Sequence, residues 1–289
     1  MTAPGDYRGS VIPPGIHDIA FDWDPQPEVQ RLLHFAREAG ADVRSVLELG
    51  CGTGRLLAAL GAHLSDRWGI ELSREMAEAA RARSGARIVA GDMCDFALER
   101  TFDLIFASAN TVRHAATAAQ IAGLWRCVAE HLVSGGVFIA DLELGFEAEA
   151  AKLHRPAFWT LSRGPLQVRA SWCVVRPPAP DTRCCTVEWE FEARSDRPLG
   201  RWSESFELRT YDADEFVRLA TAAGGLEPRG IYEVRDPYLL PRTPENAVGR
   251  MLVVLQSPRR DAQPPVVPTM PHGSELPEPT RWTSAPARR

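Results

Sequence analysis

The segment Val46-Leu-Glu-Leu-Gly-Cys-Gly-Thr-Gly54 sets an acid, Glu48, and three glycines, Gly50, Gly52 and Gly54, on alternate positions at the end of an apolar run. Glycines there let the backbone turn sharply and let a ligand lie against bare peptide N–H groups. The spacing G-x-G-x-G behind an acid differs from the dinucleotide pattern G-x-G-x-x-G. Two more acids follow the next two apolar runs: Glu71, about twenty residues beyond the loop, and Asp92, in Gly91-Asp92-Met93. A carboxylate at the first of these places can accept both hydroxyls of a ribose. One at the second can accept from an adenine amino group. Each acid taken alone reads as well as a helix cap or a solvated side chain. All three in order with the loop face one crevice at the carboxyl edge of a parallel sheet.

Proton chemistry has two candidates. His114, in Ala109-Asn-Thr-Val-Arg-His114, stands just beyond a fourth apolar run, and His17 lies in Ile16-His-Asp-Ile-Ala-Phe21. An imidazole near its ordinary pKa of about 6.5 suits proton removal at neutral pH, although a helix cap or loop packing explains each histidine too. Asn110 and Arg113 are placed to orient an acceptor, and Trp23, with Phe21, Trp159 and Trp172, offers aromatic faces that attract cations. Arg155, Arg163 and Arg169 are candidates for a phosphate, or equally for a solvated face. His131 and Glu130 are expected on a surface helix without a role.

These residues need a scaffold, and strand and helix signals alternate to give one. Ser45–Leu49, Arg67–Glu71, Arg87–Ala90, Phe102–Phe106 and Val137–Asp141 read as strands. Helices are expected over Arg55–His63, from Ser73 as N-cap to Arg83, and over Ala118–Leu132. Such alternation means a parallel sheet with crossover helices. The expected organisation is an N-terminal lid over 1–27, a Rossmann-like core over 28–150 and a β-rich insert over 151–210. Residues 211–256 then return to the core, with Asp212-Ala-Asp-Glu215 as a capping-box-like helix start and strands at Ile231–Val234 and Met251–Leu255. The last 33 residues hold 8 prolines and read as a disordered tail.

Composition narrows the class. The chain has 289 residues, 45% of them hydrophobic and 25% charged, with a net charge of −5, so no global basic face recommends nucleic acid. No run approaches the roughly 18 apolar residues of a membrane span, and the start lacks the pattern of a signal peptide. Six cysteines, at 51, 94, 127, 173, 184 and 185, show no metal-ligand spacing and read as reduced thiols of a cytoplasmic protein. No metal is expected.

At the loop and the acids that follow it, the sequence resembles the class I S-adenosylmethionine-dependent methyltransferases. Glu48-x-Gly50-x-Gly52-x-Gly54 is similar to the family's first motif, Glu71 to its ribose-binding acid, and Asp92-Met93 to its adenine-contacting pair. The resemblance implies an α/β, Rossmann-like seven-stranded sheet with helices on both faces, its last strand antiparallel, plus an antiparallel β insert before the last helix. S-adenosyl-L-methionine would be held by Glu48, Gly50, Cys51, Gly52, Gly54, Glu71, Leu72, Asp92, Met93 and Ala107, with the loop around its amino-acid tail. Within the class, Gly69–Met76 and Gly91–Phe96 look most like small-molecule, amino-sugar N,N-dimethyltransferase members. That likeness implies methyl transfer to nitrogen or oxygen of a small-molecule acceptor in antibiotic or amino-sugar biosynthesis, with the insert shaping the acceptor site and offering a homodimer contact. His17 stands where that group has a tyrosine. Two other readings stay open: the same fold using bound cofactor without methyl transfer, and a non-catalytic binding module.

Overall fold

The computed structural model describes residues 9–235 and 238–259, and the backbone of 280–281. Most of the expected tail therefore lies outside the described residues. Proline in the first turn starts both α1 (Pro14–Ala20) and α2 (Gln26–Glu38), since its φ is already helical and its missing N–H would have had no partner. Strands and helices then alternate through β1 (Ser45–Leu49), α3 (Arg55–Leu60), β2 (Asp66–Glu71), α4 (Arg74–Ser84) and β3 (Arg87–Ala90). The pattern continues with β4 (Phe102–Ala107), α5 (Ala118–His131) and β5 (Leu132–Leu144). Local chemistry sets the helix starts. Ser73 Oγ accepts from Met76 N ahead of α4, and Thr117 with Gln120 forms a reciprocal capping box on α5.

A short helix, α6 (Phe146–Ala150), leads into the insert: β6 (Ala157–Arg163), β7 (Leu166–Arg176), β8 (Cys184–Arg194) and β9 (Pro198–Arg209). After it come α7 (Ala213–Gly224), β10 (Glu227–Arg235), β11 (Tyr238–Arg242) and β12 (Gly249–Gln256). The main sheet runs β11-β10-β12-β5-β4-β1-β2-β3, and the two-residue β13 (Thr280–Arg281) pairs with its outer edge. Neighbours from β5 to β3 are parallel, while β12 is antiparallel to both β5 and β10. The sheet thus has eight strands before that edge segment, where seven were expected. The extra one is β11, a hairpin partner of β10. Pro241 hid it, because proline reads as a strand breaker, yet at the outer side of a sheet its missing N–H costs no central ladder bond.

Both faces of the sheet are covered. On β4, Leu104 and Phe106 face the layer of α2, α3 and α4, and Ile105 and Ala107 face that of α5 and α7. Two other expectations change. Asp212 does not cap α7 with its side chain; its carboxylate accepts from Phe146 N at 3.1 Å and from Arg183 Nη2 at 2.7 Å. His131 is buried, not on the surface: its Nε2 accepts from Leu98 N at 2.9 Å.

The insert is an antiparallel sheet in the order β6-β7-β8-β9. Its inner face packs Val168, Ala170, Phe191 and Ala193 on Ile12, Ile19 and Ala20 of the N-terminal segment. Its outer face turns Glu188 and Glu190 to solvent, so an interface there would be polar. None of the described helices is long and apolar enough to cross a membrane.

Gly123 links the fold to the crevice, because a Cβ on it would collide with the carbonyl oxygen of Cys94, whose N–H donates to Asp92 Oδ1 at 2.8 Å. Gly123→Ala is therefore expected to cost about 1–3 kcal/mol in a denaturant melt, because the turn that holds Asp92 must shift.

Candidate active site

The carboxyl ends of β1, β2, β3 and β4 open into a cavity of about 500 Å³, roofed by α1 and by the inner face of the insert. At its floor, Glu48 sits near the end of β1 between Gly69 of β2 and Phe106 of β4. It is 3% exposed; Oε1 accepts from Ser108 Oγ at 3.4 Å and Oε2 has no hydrogen-bond partner. Burial pushes its carboxyl well above the usual carboxylate range, with Arg55 opposing. An unpartnered buried acceptor is costly, so this one marks where a ligand's donor group belongs.

The glycine loop has the expected geometry. Gly50 and Gly52 adopt φ of 63° and 54°, in the left-handed region that side chains avoid. A Cβ on Gly52 would point into the cavity toward His17 Cε1, 3.8 Å away, so the cradle is one that a side chain would fill. Gly54 departs from expectation. It does not line the cavity, and a Cβ there would meet Ala80 of α4 at 3.1 Å, which makes it a packing glycine between loop and helix. Glu71 ties the loop in place, accepting from Gly52 N and from Ser73 N, each at 2.9 Å. Burial raises its pKa and those N–H bonds oppose the rise. Each carboxylate oxygen has a second acceptor direction for a hydroxyl.

Cys51, Leu72, Asp92 and Met93 also line the cavity, as expected of them. Ala107 does not, because its methyl faces the α5 layer of the core; Ser108 and Ala109 take its place. Beyond β4 the backbone is strained, with φ of 51° at Ala109 and 70° at Asn110. This turn lets Asn110 donate its N–H to Asp141 O at 3.0 Å and accept from Glu143 N at 2.7 Å through Oδ1. It also launches the 3-10 turn Thr111–His114.

Arg113 reaches the cavity wall, but its guanidinium is already engaged. It is 1% exposed and its guanidinium is taken up by Glu149 at 2.9 Å and the Arg209 carbonyl at 2.8 Å, an internal strut under His114. Both histidines do reach the cavity. His114 lies against Phe206, with ring centroids 5.1 Å apart, and His17 against Phe21 at 4.4 Å. Burial lowers both imidazoles to about 4, with Arg113 adding to the effect at His114. They are neutral near pH 7 and weaker bases than free histidine. Trp23 stands 39% exposed at the rim, with Trp159 and Trp172 deeper. Arg163 is committed to Asp18 and Asp22 at 2.9 and 2.7 Å, and Arg155 and Arg169 do not line the cavity.

Sequence reasoning missed the insert's other contributions, Trp189, Glu204 and Phe206. Alternation in β8 and β9 puts them on the inner face, but which face is inner depends on the packing partner. It also missed Asp18 as the clamp of α1, which accepts from Thr53 Oγ1 at 2.9 Å and pairs with Arg83.

The fold and cavity define a Rossmann-like domain with a glycine loop and acidic side chains gathered at the carboxyl ends of its strands. Residues 46–136 match the family model described as a methyltransferase domain. That match spans the glycine loop and the strand ends that open on the cavity, and the relatives of the chain include sugar N,N-dimethyltransferases. It is 31% identical over 119 residues to dTDP-3-amino-3,4,6-trideoxy-alpha-D-glucopyranose N,N-dimethyltransferase of Streptomyces venezuelae, covering 41% of this chain and 50% of that one. It thus spans half the length of this relative. It is 25% identical over 224 residues, 76% of this chain and 85% of the relative, to dTDP-3-amino-3,6-dideoxy-alpha-D-glucopyranose N,N-dimethyltransferase of Streptomyces fradiae. Among solved structures, the sugar N-methyltransferase KedS8 of a Streptoalloteichus species matches with a TM-score of 0.69 at 26% identity, over 90% of this chain and 97% of that one.

The chain's residues fit S-adenosylmethionine: Glu48 Oε2 awaits a donor, the loop leaves a cradle, and Glu71 and Asp92 stand at the next two strand ends. Gly52→Ala is expected to cost only about 1–2 kcal/mol of stability and to lower cofactor affinity at least about tenfold by calorimetry, because its methyl occupies the cradle.

Proposed function

We propose that this protein transfers a methyl group from S-adenosylmethionine to the amine nitrogen of an amino sugar made for antibiotic biosynthesis. The observation that carries the reading is a pair of buried, neutral imidazoles, His17 and His114, facing one aromatic-walled cavity beside the glycine cradle. The relatives named for amino-sugar N-methylation support nitrogen over oxygen as the target.

The bound cofactor supplies a methyl carbon on a sulfonium, already activated for in-line displacement. What the chain adds is position and dryness. Glu48, the loop and Glu71 hold the donor, and holding an acceptor aligned near 3–3.5 Å can supply roughly 7–11 kcal/mol of the barrier. Phe21, Trp159, Trp189 and Phe206 exclude water from the space between the two histidines. An amine attacks only through a free lone pair. At a pKa of about 4, His114 does not keep a proton taken from an alkylammonium. Its part is to accept a hydrogen bond from the neutral amine and aim the lone pair at the methyl carbon; the proton of the ammonium form leaves to solvent at the open rim of the cavity, outside the walled space. A hydroxyl acceptor would need a stronger base, which also favours nitrogen.

Mass spectrometry of amino-sugar acceptors with the cofactor tests the reading, and a gain of one methyl mass per turnover is the expected result. His114→Ala is expected to lower kcat on the order of 10²-fold with cofactor affinity unchanged; an undiminished rate would remove His114 from the site.

The imidazoles also make stability depend on pH. Their folded pKa of about 4 lies below the roughly 6.5 of an unfolded chain. The unfolded state thus binds more protons between those values. Their contribution is fully present above about pH 6.5 and is lost as the pH falls toward 4. Replacing His114 by Gln should reduce the loss of stability between about pH 7 and 5 by about 2 kcal/mol, as measured by denaturant melts at each pH.

A further inference from the structure

We infer that the acceptor enters this cavity as an amine-bearing glycoside without a diphosphate, and that Glu204 is the carboxylate that draws its ammonium form in from solvent. The inference rests on the methyl-transfer reading above and narrows its substrate. The relatives' names specify dTDP-linked sugars, and a diphosphate is a dianion that calls for uncommitted Arg or Lys.

Among the described residues, every arginine at the cavity is already bound to a carboxylate. Arg55 holds Glu28 at 2.6 Å, and Arg83 pairs with Asp18 and Asp22. Arg113 holds Glu149 at 2.9 Å, and Arg250 grips Asp141 with two bonds of 2.9 and 2.6 Å. The chain has one lysine, Lys152, and it sits between Glu143 at 2.9 Å and Glu149 at 3.2 Å. A paired guanidinium offers an incoming dianion little net positive charge.

Carboxylates are less well matched. Glu204 on β9 accepts from Ser10 Oγ at 3.1 and 3.0 Å and from Val11 N at 3.0 Å, so among the described residues it meets a hydroxyl and a peptide group and no cation. It stands opposite Trp189 in the strand ladder and two residues from Phe206, and all three line the cavity. A carboxylate set among aromatic faces attracts ammonium groups and repels phosphates. Burial raises the Glu204 pKa, as expected of an anion without a neighbouring cation. Such an acceptor is the product of a glycosyl transfer that has already released the nucleoside diphosphate, so methylation here follows attachment of the sugar.

The test presents one amino sugar to the full chain in two forms, its thymidine diphosphate ester and its methyl glycoside, with cofactor binding followed separately by calorimetry. The glycoside is expected to show at least about a tenfold higher kcat/KM. Thymidine diphosphate at about 1 mM, a weak-ligand concentration, should leave glycoside turnover unchanged. Glu204→Gln should raise KM for the glycoside about tenfold with kcat within about twofold, and Glu204→Asp should restore part of that loss. Preference for the nucleotide sugar, competition by thymidine diphosphate, or an unchanged KM in Glu204→Gln would overturn the inference while cofactor binding and turnover leave the methyl-transfer reading intact. Failure to bind the cofactor would overturn both.

Discussion

One desolvated carboxylate holds the cofactor end of this molecule together. Glu71 accepts from Gly52 N in the loop after β1 and from Ser73 N at the start of α4. It thereby ties the glycine loop to the start of the helix that follows the next strand. A carboxylate taken out of water has to recover its hydration as hydrogen bonds, and here backbone N–H groups of Gly52 and Ser73 supply them. The loop composition, the helix start and the acid at the end of β2 are therefore one requirement met by three segments far apart in the chain.

The insert side of the cavity obeys a different constraint, exclusion of water. The N-terminal segment lies across the strand ends and is held from both sides. Asp18 and Asp22 pair with Arg83 of α4 and Arg163 of β6, while the Ala20 carbonyl accepts from Trp159 Nε1 at 2.6 Å. Exposed ion pairs contribute little singly. Here they locate a strap whose apolar side, Ile12, Ile19 and Ala20, is buried against the insert sheet. The same burial that dries the cavity keeps the imidazoles neutral, so a weakly basic histidine and an apolar reaction space follow from one cause.

Legibility in the sequence followed the range of the interactions. Glu48, Gly50, Gly52, Glu71 and Asp92 were readable because strand end, turn and helix start are neighbours in the chain, and their order repeats the order of strands in the sheet. Gly54 and Ala107 were misassigned for a physical reason. A side chain's place on a strand or loop is known only to one residue in two until its packing partner is known, and Ala80 and the α5 layer claimed these two. Arg113 looked like a ligand-binding cation beside the reaction centre, but Glu149, 36 residues further along, neutralises it. The eighth strand was missed because Pro241 is disfavoured only where its N–H would be needed.

By itself the sequence determined the parallel α/β core, the glycine loop at the end of its first strand and the acids at successive strand ends. These depend on hydrophobic period, on glycine's freedom at positive φ and on the short path from a strand to the helix that follows it. Tertiary structure alone decided which aromatic rings wall the cavity, which arginines are already neutralised, and in which direction burial moves the two imidazoles. Those properties belong to distances between the N-terminal segment, the core and the insert, and no local pattern encodes a desolvation that arises only when three separate parts of the chain close on one another.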